Sequence, residues 1–292
     1  MRVLILGRSG QLAQALLATR PDGVEAEAWG RDQLDLADTG NILPALGAYA
    51  PTAIINASAY TAVDRAEQEP EAAFALNELA VRELGRAAAE LDCGLVHVST
   101  DFVFDGRQSR PYRPSDACAP IGVYGKSKRQ GELALAEVMP AAAIVRTAWL
   151  YRAGGACFMT TMLRLMNERD ELGVVCDQVG TPTSADNLAA VLWRVVEARL
   201  SGVWHYTDAG AASWYDFACA ILRQAQNIGL LEAQPVIKPI RTDQYPTPAT
   251  RPSYSVLDSS ALRDKLGLSA THWQDALATQ LDALLRETNG RN

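Results

Sequence analysis

Long apolar runs are missing from this sequence of 292 residues. No stretch approaches the ~18 consecutive apolar residues that a membrane-spanning helix needs. The apolar opening, residues 1–7, runs into glycine too early for a signal peptide and is better interpreted as a buried first strand. We therefore expect a cytoplasmic protein without a membrane partner.

Cysteine pairs, histidine clusters and basic runs are also scarce. The five cysteines form no Cys-x-x-Cys motif, and their odd number argues against a disulfide framework, so a reducing compartment is expected. The three histidines lie far apart, which argues against a His/Cys metal site, and we predict no metal. The net charge of −7 comes without a basic run. This argues against nucleic acid as a partner but leaves room for one anionic small molecule.

What the first half does contain is an alternation of short β-branched segments with longer segments rich in alanine and leucine. Strands are predicted at 2–6, 24–29, 52–57, 94–99 and 142–147, and helices at 10–19, 39–49, 70–91 and 122–137. This alternation predicts an α/β fold with a Rossmann-type doubly wound parallel sheet, covered by helices on both faces.

After about residue 150 the alternation loosens. Helices are predicted at 156–169, 184–199, 213–228 and 272–286, with short extended pieces at 172–176, 203–206, 236–240 and 254–257. We interpret residues 1–150 as the first domain, which also receives about 177–202. Residues 151–292 would mainly form a smaller α/β region packed intimately against it, because no linker-like tract separates the two.

A glycine-rich loop follows the first predicted strand and opens the first predicted helix. Gly7 permits a tight turn, and Gly10 lets backbone N–H groups approach a pyrophosphate at the helix N-terminus. Ala13 takes the third position of the Gly-x-x-Gly-x-x-Gly pattern, where a small residue still allows close packing. This context predicts an NAD(P)-binding first domain, and the second region would then mainly bind substrate.

The end of the second strand bears on the choice of cofactor. Arg31, helped by Arg8, could bind a 2′-phosphate, which favours NADPH. The alternative is that Arg31 is solvated and Asp32 takes the ribose, as in NAD-preferring sites, so NADH stays possible. Asp35 and Leu36 follow and could lie along the adenine.

Proton chemistry is indicated by Tyr124 and Lys128, which share one helix face. They follow Thr100, which ends the fourth strand at the sheet edge where ligands bind in this architecture. Thr100 could hold a carbonyl oxygen, and Tyr124 could protonate the alkoxide that hydride addition creates. A lysine cation at ~4 Å, worth roughly 4 kcal/mol at an effective dielectric of 20, could lower the phenol pKa by as much as ~3 units.

These features resemble the extended short-chain dehydrogenase/reductases, and within them most closely the dTDP-4-dehydrorhamnose reductase family. The resemblance covers nearly the whole chain and rests on residues 7–12, 56–67, 99–106, 124–128, 146–149, 177–183 and 251–257. It implies hydride transfer from a reduced nicotinamide to the 4-keto group of dTDP-4-dehydro-β-L-rhamnose, giving dTDP-L-rhamnose for cell-surface polysaccharide.

Residue roles follow from the same resemblance. It implies a catalytic set of Thr100, Tyr124 and Lys128, and sugar-nucleotide contacts from Asp101 and Trp149. It implies that the cofactor lies against Gly7, Gly10, Gln11, Leu12, Asp35, Leu36, Ala59, Tyr60, Thr61 and Val98, together with Tyr124 and Lys128. Arg251 could hold the diphosphate through bidentate bonds, or could equally form a surface pair.

Two positions separate the chain from its neighbours. Asp101 is followed by Phe102, whereas related sugar-nucleotide dehydratases carry Asp-Glu there, so elimination lacks its usual base and simple reduction is favoured. Some family members dimerise around Mg²⁺ held by glutamates, one of which corresponds to Ala15 here. We therefore expect no such metal bridge, and any homodimer would form without it.

Two other functions stay open. A sister reductase acting on a dTDP-4-keto-6-deoxy sugar could give another epimer, because the product depends on how the sugar lies over the nicotinamide. A non-catalytic dinucleotide-binding regulatory subunit could share the fold, but such a protein has no need of Thr100, Tyr124 and Lys128.

Overall fold

Six parallel strands form the central sheet. The computed structural model describes residues 1–289. Its strands are β1 Arg2–Leu6, β2 Glu25–Trp29, β3 Ala53–Asn56, β4 Gly94–Thr100, β5 Ala143–Thr147, β6 Leu150–Tyr151, β7 Glu171–Val175, β8 Val179–Gly180, β9 Thr183–Ser184, β10 Gly202–His205, β11 Ala212–Ser213 and β12 Val236–Ile240. The sheet runs in the order β10-β5-β4-β3-β1-β2, with every neighbouring pair parallel.

Helices cover both faces of this sheet. The helices within residues 1–289 are α1 Gln11–Ala18, α2 Ile42–Tyr49, α3 Val63–Ala66, α4 Pro70–Phe74, α5 Ala80–Glu90, α6 Val123–Val138, α7 Phe158–Glu168, α8 Ala185–Glu197, α9 Trp214–Asn227, α10 Ser260–Leu266 and α11 Trp273–Asn289. A π-helix, Ala75–Leu79, joins α4 to α5. Helices α1 and α8 pack on one face, and α2, α5 and α6 pack on the other.

The strand sequences explain why both faces are covered. Successive strand residues point to opposite faces. In β1, Ile5 lies in the core under α1 and α8, whereas Leu4 lies in the core under α2, α5 and α6. A strand buried on both faces needs apolar residues at nearly every position, as in β1 and β3. The predicted doubly wound α/β fold is confirmed.

The chain returns to this sheet in its second half. Helix α8 packs against α1, and β10 pairs with β5. Helices α7, α9 and α11 instead surround a separate core around Phe217, together with β7 and β12. These contacts favour the two-part division inferred from the sequence, whose boundaries stay a prediction.

Some predicted elements differ from the structure. The single helix predicted at 70–91 is divided into α4, the π-helix and α5. At 254–257 only isolated bridges form, at Tyr254 and Leu257. Helices α3 and α10 were not predicted, because each is too short for a helical period to show in the sequence.

Candidate active site

Two glycines shape the loop after β1. Gly7 has φ +103°, and a side chain there would lie 3.1 Å from the backbone of Ala57, so glycine lets this loop approach the loop after β3. Gly10 precedes α1 without a side-chain cap. Leu12 is buried in the core, and the Gln11 amide donates to the loop before α7. The first turn of α1 therefore offers backbone N–H groups to an anion.

Arg8 and Asp32 form a bidentate pair beside the end of β2. Arg8 Nη2 lies 2.8 and 3.0 Å from the two Asp32 oxygens, and Nη1 donates to Gln33 Oε1 at 2.7 Å. The Arg31 side chain is 80% exposed and reaches Asp35 only at 3.9 Å. Since Asp32 is already paired, the arrangement favours a phosphate at Arg31 over a ribose at Asp32, and both roles stay predictions.

The other residues predicted to line the cofactor follow the same sheet edge. Leu36 is buried in the core near α2. In β4, Val98 is half-buried and its carbonyl accepts a hydrogen bond from Lys128. Ala59 is half-buried and Thr61 is exposed in the loop after β3.

Asn77, in the π-helix, holds that loop. Its Oδ1 accepts from Tyr60 N at 2.9 Å, and its Nδ2 donates to Tyr60 O at 3.1 Å and to Ser127 Oγ at 2.9 Å. Ser127 lies between the two catalytic candidates of α6. A side chain at Gly131 would collide with the backbone carbonyl of Asn77, so glycine at this position allows α6 to pack closely against the π-helix. One buried amide thus links the loop to the catalytic helix, and no sequence pattern had singled it out.

The three predicted catalytic residues are brought together. Thr100 ends β4, and Tyr124 and Lys128 lie in the first two turns of α6. The Thr100 hydroxyl is close enough to the Tyr124 phenol to influence its ionisation. Lys128 is 1% exposed; its Nζ donates to Val98 O at 2.8 Å and lies 3.1 Å from His97 Nε2.

Burial dominates the ionisation of this pair. It raises the pKa of Tyr124 to about 12, opposed by the Thr100 hydroxyl and reinforced by the charge of Asp101. Burial lowers the pKa of Lys128 to about 8, against the Glu132 carboxylate, which raises it. The expected lowering of the Tyr124 pKa by Lys128 is therefore wrong for the protein on its own. Desolvation of the phenol outweighs attraction to an ammonium that bonds elsewhere.

Asp101 is a buried carboxylate with one unpaired oxygen. It is 2% exposed. Its Oδ1 accepts from Thr100 Oγ1 at 3.0 Å, whereas Oδ2 has no hydrogen-bond partner within residues 1–289. Burial raises the pKa of Asp101 to about 6, opposed by the nearby hydroxyls of Ser255 and Thr100. Since buried polar atoms are normally paired, this oxygen suits a hydroxyl of a substrate.

A buried ion pair fixes α6 to β5. Arg146 Nε and Nη2 donate to the two Glu132 oxygens at 2.8 and 2.7 Å, and each residue is 1% exposed. Arg129 adds a further bond to Glu132 at 2.8 Å. His205 Nε2 lies 3.3 Å from Arg146 Nη1, and its Nδ1 lies 3.0 Å from Tyr112 O. His205 therefore serves packing, and the network holds α6 one turn beyond the catalytic lysine.

Trp149 stacks on Trp214 at the side of the site. Their ring centroids are 3.5 Å apart and their planes differ by 5°. Trp149 has φ +47° directly before β6, and a side chain at Gly180 would lie 2.6 Å from its ring. Strained backbone held by packing is common at functional sites. The sequence had indicated Trp149 but not Trp214.

Arg251 forms an ion pair with Asp64. Its Nη1 and Nη2 donate to Asp64 Oδ1 and Oδ2 at 3.1 and 2.8 Å, and Nη1 also donates to Ala249 O at 3.0 Å. The structure thus contains the pairing that was one of the two alternatives, and the diphosphate role stays a prediction. Next to this pair lies a cavity of about 380 Å³ lined by, among others, Phe158, Gln178, Trp214, Tyr245, Thr247 and Arg251.

Two wider properties concern residues 1–289. Nowhere in that range do three or more His, Cys, Asp or Glu side chains come together in a way that could hold a metal ion. None of the helices in the range is long and apolar enough to cross a membrane.

Comparison with known proteins places the chain in a family. Residues 1–286 match the family model described as the RmlD substrate binding domain. The dTDP-4-dehydrorhamnose reductase of Aggregatibacter actinomycetemcomitans is 39% identical over 284 residues, covering 94% of this chain and 97% of that protein.

Solved structures agree with this match. The crystal structure of a dTDP-4-dehydrorhamnose reductase from Clostridium acetobutylicum has a TM-score of 0.92 and 35% identity, covering 98% of this chain and 100% of that one. The dTDP-4-dehydrorhamnose reductase of Bacillus anthracis, in complex with NADP, has a TM-score of 0.90 and 32% identity, covering 98% and 99%. The chain therefore belongs to the RmlD family, and along nearly its whole length it is similar to dTDP-4-dehydrorhamnose reductases.

Proposed function

We propose that the protein uses NADPH to reduce the 4-keto group of dTDP-4-dehydro-β-L-rhamnose, giving dTDP-L-rhamnose. Family membership supports this, as do the names of the relatives and the NADP complex of the Bacillus anthracis protein. The single observation that carries the proposal is the clustering of Thr100, Tyr124 and Lys128 at the carboxyl edge of the sheet, the edge that also carries the glycine loop after β1.

The residues at this edge fit a dinucleotide. Gly7 and Gly10 leave the backbone N–H groups of α1 open to a pyrophosphate. Arg31 supplies an exposed cation for a 2′-phosphate. The loop through Tyr60, held by Asn77, forms the adjoining wall. Bound there, a reduced nicotinamide supplies the hydride.

The protein's own side chains manage the carbonyl oxygen and its proton. Thr100 can turn its hydroxyl from Asp101 to the carbonyl oxygen and hold it beside Tyr124. With a pKa of about 12, Tyr124 keeps its proton at neutral pH. The alkoxide left by reduction is more basic than a phenolate, so the Tyr124 proton passes to that oxygen. Lys128, whose pKa is about 8, can then give an ammonium proton to the phenolate, and the amine takes a proton from water before the next turnover.

Phe102 favours reduction over elimination. Its ring packs edge-on against the ring of Tyr124, with centroids 5.6 Å apart and planes at 71°. A phenyl ring cannot remove a proton from the sugar, whereas the glutamate at this position in related dehydratases can. We therefore assign simple carbonyl reduction to this site.

Asp101 and Trp149 are the side chains we assign to the sugar nucleotide. The unpaired Asp101 Oδ2 can accept from a sugar hydroxyl. Trp149 and Trp214 offer an aromatic wall for a sugar or base. The cavity of about 380 Å³ beyond Trp214 has a volume suited to part of a nucleotide.

Any homodimer would form without the glutamate-held Mg²⁺ bridge of some relatives. Ala15, at the corresponding position, is fully buried in the core between the sheet and α8. A side chain at this position therefore points into the protein, away from a partner subunit.

The test is oxidation of NADPH and NADH, measured separately, with enzymatically generated dTDP-4-dehydro-L-rhamnose, and product stereochemistry assigned by NMR. We expect turnover with NADPH and the rhamno product. Another epimer would identify a sister reductase. Absence of turnover with either cofactor, despite cofactor binding, would favour a regulatory subunit.

A further inference from the structure

His97 lies directly behind the catalytic lysine. It belongs to β4 and is fully buried. Its Nε2 is 3.1 Å from Lys128 Nζ. Its Nδ1 is 3.1 Å from Asn56 Nδ2, and Asn56 Oδ1 accepts from Ser58 N at 3.1 Å. A continuous polar chain thus runs from the loop after β3 to the ammonium position of Lys128.

The direction of these hydrogen bonds is determined from the loop end. A backbone N–H can only donate, so Ser58 N requires the oxygen of the Asn56 amide and leaves Nδ2 facing His97. Nδ2 also only donates, so His97 Nδ1 must accept. A neutral imidazole that accepts at Nδ1 carries its hydrogen on Nε2, the atom that faces Lys128.

The contact between His97 and Lys128 therefore depends on the charge of the lysine. An ammonium has N–H donors and no acceptor, so an ammonium at Lys128 would face the Nε2–H of His97 with no acceptor between the two donors. A neutral amine can accept from Nε2–H and still donate to Val98 O at 2.8 Å. The chain of bonds consequently favours the neutral amine.

We propose that Asn56 and His97 are positioning residues that set the charge of Lys128, Asn56 by fixing His97 as the Nε2–H tautomer and His97 by opposing the ammonium form. On α6 the ionisable neighbours of Lys128 are Tyr124, one turn earlier, and Glu132, one turn later. Asp101, after β4, acts on Tyr124. Glu132 raises the lysine pKa, but its carboxylate is shared with two arginines.

The consequence for catalysis rests on the proposed function. Burial, followed by the charge of Lys128, lowers the pKa of His97 well below its usual value, so the imidazole stays neutral. A lysine whose ammonium is destabilised is a stronger acid. Its ammonium form gives a proton more readily to the phenolate oxygen of Tyr124, which renews the phenol, and the amine then regains a proton from water.

The first experiment determines the tautomer. The chain has three histidines, so long-range ¹H–¹⁵N spectra of full-length protein labelled with ¹⁵N-histidine contain three ring systems, and the His97→Gln variant identifies the His97 signals. We expect a neutral Nε2–H ring from pH 6 to 9. An Nδ1–H ring, or a protonated one, would overturn the proposal. Neither spectrum depends on turnover, so this result is independent of the reductase assignment.

The second experiment switches the tautomer. In Asn56→Asp, the carboxylate only accepts, so His97 becomes Nδ1–H and its Nε2 accepts from the ammonium. The chain has four lysines, of which Lys126, Lys238 and Lys265 are exposed references. In ¹³Cε-lysine spectra the Lys128 midpoint should rise by about one pH unit, a tenfold tighter hold on its proton. A rise without the tautomer switch would reflect the added charge alone and would overturn the proposal, as would an unchanged midpoint. If the variant does not fold, the tautomer of the unaltered protein decides.

Discussion

Arg146 Nη2 lies 2.7 Å from Glu132 Oε2 in an ion pair that is almost free of solvent and ties the catalytic helix to the sheet. Arg146→Met should leave the Glu132 carboxylate buried with Arg129, which is partly exposed, as its remaining ion-pair partner. We expect this to cost about 3 kcal/mol in the free energy of unfolding. Urea unfolding measures this loss. The matched control is Arg164→Met in the exposed pair with Glu168, where a change below about 0.5 kcal/mol is expected. Equal losses in the two variants would contradict a structural role for the buried pair.

Tyr124→Phe should lower kcat by about 10² to 10⁴, because the alkoxide loses its positioned proton donor. The substitution removes only the hydroxyl, so the packing against Phe102 is kept. NADPH affinity, measured by fluorescence titration, should change less than about threefold, since a hydroxyl is a small part of the binding free energy. Activity close to that of the unaltered protein would show that another group supplies the proton.

Asp101→Asn should make stability less dependent on pH. Because the pKa of Asp101 is raised from 3.8 to about 6 in the folded protein, its stabilising contribution is complete below pH ~3.8 and is lost as the pH rises through ~6. At pH 7.5 the free energy of unfolding of the variant should exceed that of the unaltered protein by up to about 3 kcal/mol, since each unit of pKa difference corresponds to about 1.36 kcal/mol. Below pH 4 the two proteins should differ little. Its kcat/KM should fall, because an amide presents a donor where the substrate hydroxyl would be accepted.

Asp208→Asn is the control for this effect. Burial also raises the pKa of Asp208 to about 6. However, both of its oxygens are occupied, by Ser184 N and Asn187 Nδ2 at 2.8 Å each. The NH₂ group of an asparagine at this position would face either Ser184 N or Asn187 Nδ2, which are both donors. This variant should therefore lose stability at every pH. A similar gain in both variants at pH 7.5 would argue against the pairing described here.

Arg31→Ala should reduce the preference for NADPH over NADH about tenfold, since one charge-assisted bond to the 2′-phosphate is lost. The ratio of kcat/KM for the two cofactors measures this preference. Arg20→Ala, an arginine on the loop after α1 and outside the predicted site, is the control and should leave the ratio unchanged. An unaltered ratio in Arg31→Ala would remove the 2′-phosphate role.

Arg251→Ala and Asp64→Asn together separate the two roles of Arg251. If the guanidinium binds the diphosphate, Arg251→Ala should raise KM for the sugar nucleotide about tenfold, while Asp64→Asn frees the arginine and changes KM less than about threefold. Steady-state kinetics at saturating NADPH gives both values. Equal increases in the two variants would mean that Arg251 acts only through its pair with Asp64.

The fold was predictable from the sequence where local composition determines it. β1 and β3 are buried on both faces, so they appear as short apolar runs, and the helices between them are long enough to be recognised. The π-helix was not predictable, because it lies where α6 approaches at Gly131, and no local pattern in the sequence indicates that contact. That contact joins residues about fifty positions apart.

The candidate site divides in the same way. The positions of Gly7, Thr100, Tyr124 and Lys128 follow from spacing and strand ends, which are local properties. Asn77 and His97 act through contacts across the fold that no local pattern carries. The pKa of Tyr124 was predicted in the wrong direction because the sequence reveals a nearby cation but not how far each group is removed from water.

The stacked rings of Trp149 and Trp214 give the molecule an optical reporter of its own. Two parallel indoles with centroids 3.5 Å apart couple their electronic transitions. Separating the rings therefore changes the near-ultraviolet spectrum of the protein. The state of this wall can thus be followed by spectroscopy in solution, without a label or an assay of turnover.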